Sequence, residues 1–161
     1  MFIGTVCKYN ILIIKLSYYG SIIVFRHSNE QRQNDTDMAT KFYECTFCGN
    51  VVQKVVDSEV PVVCCGQEMN EIIPGTVDAS VEKHIPHVTW LDEKTLKVQI
   101  GSVAHPMLKE HHIMFIYVET ENGGIHVDLT DKPEAVIALG DEKPVAVYEY
   151  CNLHGLWKTD L

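Results

Sequence analysis

From about Thr76 onward, apolar and polar positions fall into short runs separated by turn signals. "TLKVQIGSV" (95–103) alternates as a half-buried strand does, and "HHIMFIYVET" (111–120) reads as a more deeply buried one. "NGG" (122–124) is a hairpin-turn signal, and "IHVDL", "EAVIAL" and "KPVAVYEYC" supply further strands up to Cys151. No amphipathic helix of useful length interrupts them, so this region is expected to be an antiparallel β-sandwich. Ahead of it, "FYECTFCGNVV" (42–52) and "VPVVCCGQEM" (60–69) are β-rich runs that each carry a cysteine pair followed by glycine. This is the pattern of a small metal knuckle.

The pattern divides the chain in three. Residues 1–37 begin with an apolar segment broken by Lys15 and end in the polar "RHSNEQRQNDTD". The segment is short and charged for a membrane span and lacks a small-x-small cleavage site, so it is read as an upstream extension outside the fold, with Met38 as the natural first residue. Cys7 falls in it and is given no role. Residues 38–74 form the four-cysteine domain, Pro74-Gly75 the break, and residues 75–161 the sandwich.

With 161 residues, 46% of them hydrophobic and 22% charged, the chain has material for one good core or two small ones. Its net charge is −9, and no arginine follows Arg32. That balance argues against a nucleic-acid backbone as partner. Without a secretory signal the cysteines are expected reduced, in the cytoplasm.

Cys45-x-x-Cys48-Gly49 can wrap two thiolates around one metal, the glycine letting backbone N–H groups approach the sulfurs. Cys64 and Cys65 are adjacent, and neighbours of this kind form a disulfide only with strain, so a shared metal is the simpler expectation. Four sulfurs in a tetrahedron suit zinc or iron equally from spacing alone. The histidines form a second set. His84 lies in "VEKHIPH", His105 in "SVAHPM", His111 opens "HHIMFIYVET", and His154 follows Cys151 by three residues in "EYCNLHGLW". Strand alternation turns His112 away from the face that His111 takes. His27, His87 and His126 have no such companions and read as ordinary polar residues. A thiolate and an imidazole leaving one strand end together can occupy neighbouring positions on a single metal, where the thiolate is the strong electron donor.

Together, "YECTFCGN", "VVCCGQEM", "VEKHIPH", "GSVAHPM" and "EYCNLHGLWK" resemble desulfoferrodoxin, the two-domain superoxide reductase family, from about Phe42 to Lys158. The resemblance implies a mainly β protein, a desulforedoxin-like knuckle followed by an immunoglobulin-like β-sandwich. It implies iron on Cys45, Cys48, Cys64 and Cys65. It also implies a catalytic iron ringed by His84, His105, His111 and His154, with Cys151 as axial thiolate and the sixth position open. Glu82 and Lys83 then flank the open face, the glutamate as a carboxylate for the oxidised iron and the lysine as an attractor of the anion. The implied reaction is one-electron reduction of superoxide to hydrogen peroxide, with an outside donor such as a rubredoxin and a homodimeric assembly. Removing residues 1–37, which carry four basic and three acidic side chains, changes the net charge from −9 to −10, so any steering of superoxide has to be local. Two other readings of the residues are a cupredoxin-like electron carrier, on the Cys-x-x-His, and a non-enzymatic zinc-ribbon binding module.

Overall fold

The computed structural model describes residues Thr40–Leu161, which form one compact unit. Residues 1–37, with Cys7 and His27, lie outside the described part. Strands β1 (Lys41–Glu44), β2 (Val51–Lys54) and β5 (Asn70–Glu71) make a small antiparallel sheet in the order β2-β1-β5. Between them, β3 (Val63–Cys64) and β4 (Gln67–Glu68) pair as a short hairpin. A one-turn helix, α1 (Val81–His84), leads into the larger domain.

That domain has two antiparallel sheets. One is β10-β7-β6, from Glu134–Ala138, Thr95–Ile100 and Pro86–Asp92. The other is β12-β11-β8-β9, from Gly155–Asp160, Pro144–Cys151, Ile113–Thr120 and Gly123–Asp128. Leu96, Val98 and Ile100 of β7 point inward and pack against Ile116 and Val118 of β8 and Val147 of β11. The mainly β fold with knuckle and sandwich is as the alternation predicts.

β11 is apolar on both faces, and the reason is its position between two cores. Val147 and Cys151 face the sandwich interior. Ala146, Tyr148 and Tyr150 face the other way, into an aromatic cluster with Phe42, Phe115, Tyr117 and Leu156. Phe42 belongs to β1, so this cluster fastens the knuckle to the outer face of the second sheet. Its ring meets Phe115, Tyr117 and Tyr148 at centroid distances of 5.5–5.8 Å. Polar contacts complete the seam. The Glu119 carboxylate accepts from the Thr40 N–H and hydroxyl and from the Tyr148 hydroxyl, at 2.8–3.0 Å. Gln53 Nε2 donates to the Tyr117 hydroxyl at 2.8 Å.

Four local expectations change. "NGG" is not the turn itself: Glu121 and Asn122 make the turn, and Gly123 already belongs to β9. A Cβ on Gly124 would collide with the ring and hydroxyl of Tyr117. That glycine is a close-approach residue. β6 and β12 are additional strands, β6 being an edge strand that opens on Pro86. His111 lies before β8, in an isolated bridge with Leu108, and the strand proper begins at Ile113. α1, finally, is too short to leave a periodic signal.

Gly101 fixes how α1 sits. Its φ is +77°, and a Cβ there would meet the carbonyl oxygens of Lys83 and Val103 at 2.6 Å and of Glu82 at 2.8 Å. No side chain gives way in such a contact, because the obstacles are backbone. Gly101→Ala is therefore expected to destabilise the fold by about 2 kcal/mol, combining left-handed strain with displacement of α1. Urea unfolding of parent and variant checks this, and an unchanged midpoint would contradict it.

Candidate metal centres

The knuckle sulfurs are delivered by two turns. Cys45 and Cys48 lie between β1 and β2, where Cys45 N–H donates to Asn50 O at 2.9 Å and Gly49 N–H to Cys45 O at 2.8 Å. Cys64 ends β3, and Cys65-Gly66 forms the two-residue loop to β4 with φ of 51° and 78°. Two successive positive φ values identify a type I′ turn, which explains why glycine follows the cysteine pair. Cys48 and Cys64 Sγ are 3.6 Å apart, Cys64 and Cys65 Sγ 3.9 Å. A tetrahedron with metal–sulfur bonds of about 2.3 Å has edges of about 3.8 Å, whereas a disulfide needs about 2.0 Å. The spacing fits four thiolates on one ion, and all five described cysteines are free.

The thiols are graded in acidity. Backbone N–H groups, chiefly that of Cys48, hold Cys45 down to about 7. Interaction with Cys48 and burial push Cys65 up to about 12. One thiolate forms readily, and four cannot share the site unless a cation compensates them.

The second group draws on four separate stretches of chain. His84 ends α1, His105 follows the turn after β7, His111 lies in the Leu108 bridge, and Cys151 and His154 come from the end of β11 and its turn. Their donor atoms all lie within 4.8 Å of one another. The rings follow in the order His84, His105, His111, His154 and back to His84. Neighbouring centroids are 4.5–4.9 Å apart and neighbouring planes 70–84° apart. This is a four-membered cycle of imidazoles. His84 Nε2 and His154 Nδ1 are 3.0 Å apart, the cis separation for metal–nitrogen bonds of about 2.1 Å at right angles. Cys151 Sγ lies 3.6 Å from His105 Nε2 and 3.5 Å from His154 Nδ1. Those two imidazoles are opposite members of the cycle, so the sulfur belongs near its axis.

Backbone carbonyls set the tautomers. His84 Nδ1–H donates to Ser80 O at 2.8 Å, and His105 Nδ1–H to Pro106 O at 2.6 Å, which leaves each Nε2 lone pair facing the centre. His111 Nε2 is buried and has no partner among the described residues. Converging lone pairs of this kind have nothing to bind except a cation, and the donor set fits one. Burial lowers the imidazole pKa of His84 and His111, and takes His105 to about 4, so the rings are neutral and able to ligate. Burial also raises the Cys151 thiol, which a metal would have to ionise. Trp157 backs the group, stacking on His84 at 4.9 Å and 19° and donating its Nε1–H to His154 O at 3.1 Å. A blue-copper carrier would need two histidines and a cysteine in one plane; the cycle of four excludes it.

Glu82 and Lys83 sit beside His84 on α1, both exposed and outside the donor group. Contact with Ser80, and the nearby Lys83 ammonium, lower the Glu82 carboxyl. Lys83 also disfavours protonation of His84 and His111, so its charge reaches the cycle. His112 is turned away, its Nδ1–H donating to Leu108 O at 3.0 Å. Glu149 is a site neighbour that sequence reading missed. It is 0% exposed, shares the inward face of β11 with Cys151, pairs across the ladder with Trp157, and has no partner for either oxygen among the described residues. Burial pushes it up to about 9, so it is a neutral acid. The alternation in "VYEYC" already placed it two positions before the cysteine on the same face.

The depressed histidines predict a pH dependence of the metal-free protein. Unfolded histidine takes its proton near 6.5, folded His105 only near 4, so the unfolded state binds more protons in between. The His105 contribution to stability is expected to be level above pH 7 and to fall as the pH drops through that window, while Glu149, held protonated up to about 9, contributes with the opposite slope. Urea midpoints of the apoprotein and of His105→Gln across this range check it: the parent should lose stability relative to the variant as the pH drops, and a difference that does not change with pH would contradict it.

Comparison with known proteins agrees with the geometry. The desulfoferrodoxin family profile matches residues 76–160. A desulfoferrodoxin of Syntrophotalea carbinolica is 41% identical over 120 residues, covering 73% of this chain and 94% of its own. One of Nitratidesulfovibrio vulgaris is 40% identical over 125 residues, covering 74% and 95%. The crystal structure of the superoxide reductase from Treponema pallidum superimposes with a TM-score of 0.63 at 34% identity, over 76% of this chain and 99% of that one. The chain belongs to the desulfoferrodoxin family.

Proposed function

We propose that this protein is a superoxide reductase, and that the cycle of four imidazoles with a thiolate on its axis carries the activity. The support is the arrangement itself: four imidazole nitrogens and one sulfur converge within 4.8 Å, and the similar protein from Treponema pallidum is a superoxide reductase. His84, His105, His111, His154 and Cys151 would hold a catalytic iron, and Cys45, Cys48, Cys64 and Cys65 a second one. A ferrous iron held there would supply the one electron that, with two protons, converts superoxide to hydrogen peroxide.

The rest is work for the chain's own residues. Ser80 O and Pro106 O keep the His84 and His105 lone pairs on the centre. The Cys151 sulfur lies on the side closed by the sandwich core, where no solvent competes for it. Lys83 supplies positive charge beside His84, so that an anion is drawn to this site on a molecule of net charge −9. Glu82, exposed on α1 two residues before His84, is the carboxylate that would be at hand for an oxidised metal in this site. An external donor restores the electron; we assign this to a small rubredoxin-type protein, and assign homodimeric assembly and the domain division 38–74 and 75–161 on the family resemblance. Free thiols suit a reducing compartment, hence the cytoplasm. Among the described residues, no helix is long and apolar enough to cross a membrane.

The experiment is stoichiometric. Pre-reduced, iron-loaded protein mixed with superoxide should yield one hydrogen peroxide per superoxide consumed, with no dioxygen released by the protein. Release of dioxygen in step with peroxide would show dismutation and overturn the reading. In the same measurement Lys83→Ala should lower the second-order rate by about tenfold at low salt and weaken its ionic-strength dependence. An unchanged rate would return Lys83 to an ordinary surface cation.

A further inference from the structure

His111 is held differently from His84 and His105. His84 and His105 each have their Nδ1–H tied to a backbone carbonyl. Among the described residues, nothing hydrogen-bonds the His111 ring, and its Nε2 is buried and unpartnered. Nor is His111 part of a strand, since the β8–β11 ladder ends with the Cys151–Ile113 pair. Something else has to aim that ring.

We propose that Asn152 is a positioning residue for the histidine centre, its side-chain amide bracketing His111 and holding the ring on the metal. The inference rests on the reading that the four histidines and Cys151 hold a metal. Asn152 Oδ1 accepts from the His112 N–H at 2.8 Å, and Asn152 Nδ2 donates to Glu110 O at 2.9 Å. Its own N–H donates to His112 O at 3.1 Å. The amide thus engages the chain on both sides of His111, acting as one more rung after the ladder has ended. A side chain that donates and accepts in one plane, at this length, is asparagine. Aspartate would keep the acceptor and lose the donor, and leucine would keep the shape and lose both. Because Asn152 directly follows Cys151, the same residue ties the turn carrying the Cys151 sulfur to the loop carrying the His111 ring, so the two donors move together. This places Asn152 in the role that a ring hydrogen bond plays for His84 and His105.

The test uses the full chain loaded with cobalt(II), whose bands report the ligand set, with the four-cysteine site as internal reference. In the parent both sites should fill. In Asn152→Leu the affinity of the histidine site should fall about 10- to 100-fold, with the four-sulfur bands unchanged. Its remaining bands should move toward those of His111→Ala, the signature of one imidazole lost, which general destabilisation would not give. Asn152→Asp should fall between parent and Asn152→Leu, and decides the matter alone should Asn152→Leu not fold. Parent-like affinity and bands in the variant that folds would overturn the inference while leaving the metal reading intact. A parent chain that takes up cobalt only at the cysteines would overturn both.

Discussion

Four imidazole nitrogens and one sulfur converge within 4.8 Å at one end of the sandwich, and a shared cation is what would join all five. His84 and His105 are 2% and 3% exposed. Unbound lone pairs at such a site have given up water for no partner, and the depressed imidazole pKa values show that protonation does not relieve the problem. The fold holds this arrangement because each donor is anchored elsewhere. α1 is pinned through Gly101, His105 by its own loop carbonyl, and Cys151 by a strand that lies between two apolar cores. A metal would complete a structure that the fold has already prepared.

The knuckle depends on that same strand. Tyr148 and Tyr150 of β11 alternate with Val147 and Cys151, so the residues that seat the knuckle and those that build the catalytic group share one backbone. Through Phe42, only three positions ahead of Cys45, the aromatic cluster runs from one donor set toward the other. What β11 contributes to either centre is therefore mechanical: a slip of one residue would turn Cys151 and Glu149 toward the knuckle and the tyrosines into the sandwich core.

Much of this was legible in the sequence because period-two alternation and cysteine spacing are local signals. β7, β8 and β11 fall where alternation puts them, and Cys-Cys-Gly reads directly as a tight turn with thiols on it. Legibility ended where tertiary contact sets the outcome. β6 opens on Pro86 and is an edge strand, so its pattern is weak, and β12 is hidden inside the motif that carries His154. Gly124 lies in β9 against Tyr117 and not in the turn that its sequence suggests. The histidines could be grouped by resemblance, but the cyclic order of their rings, the carbonyls that fix their tautomers and the Trp157 stack are properties of chain segments up to 70 residues apart. No window of sequence contains them.

The central claim is that one ion is held by four nitrogens and one sulfur drawn from this fold. Iron K-edge X-ray absorption fine structure tests it most directly, on the iron-loaded chain carrying Cys64→Ser so that the knuckle no longer contributes four sulfurs. The account predicts a first shell of four nitrogen scatterers and a single sulfur, with multiple scattering from four imidazole rings. A shell with no sulfur, or with fewer than four imidazoles, would contradict it.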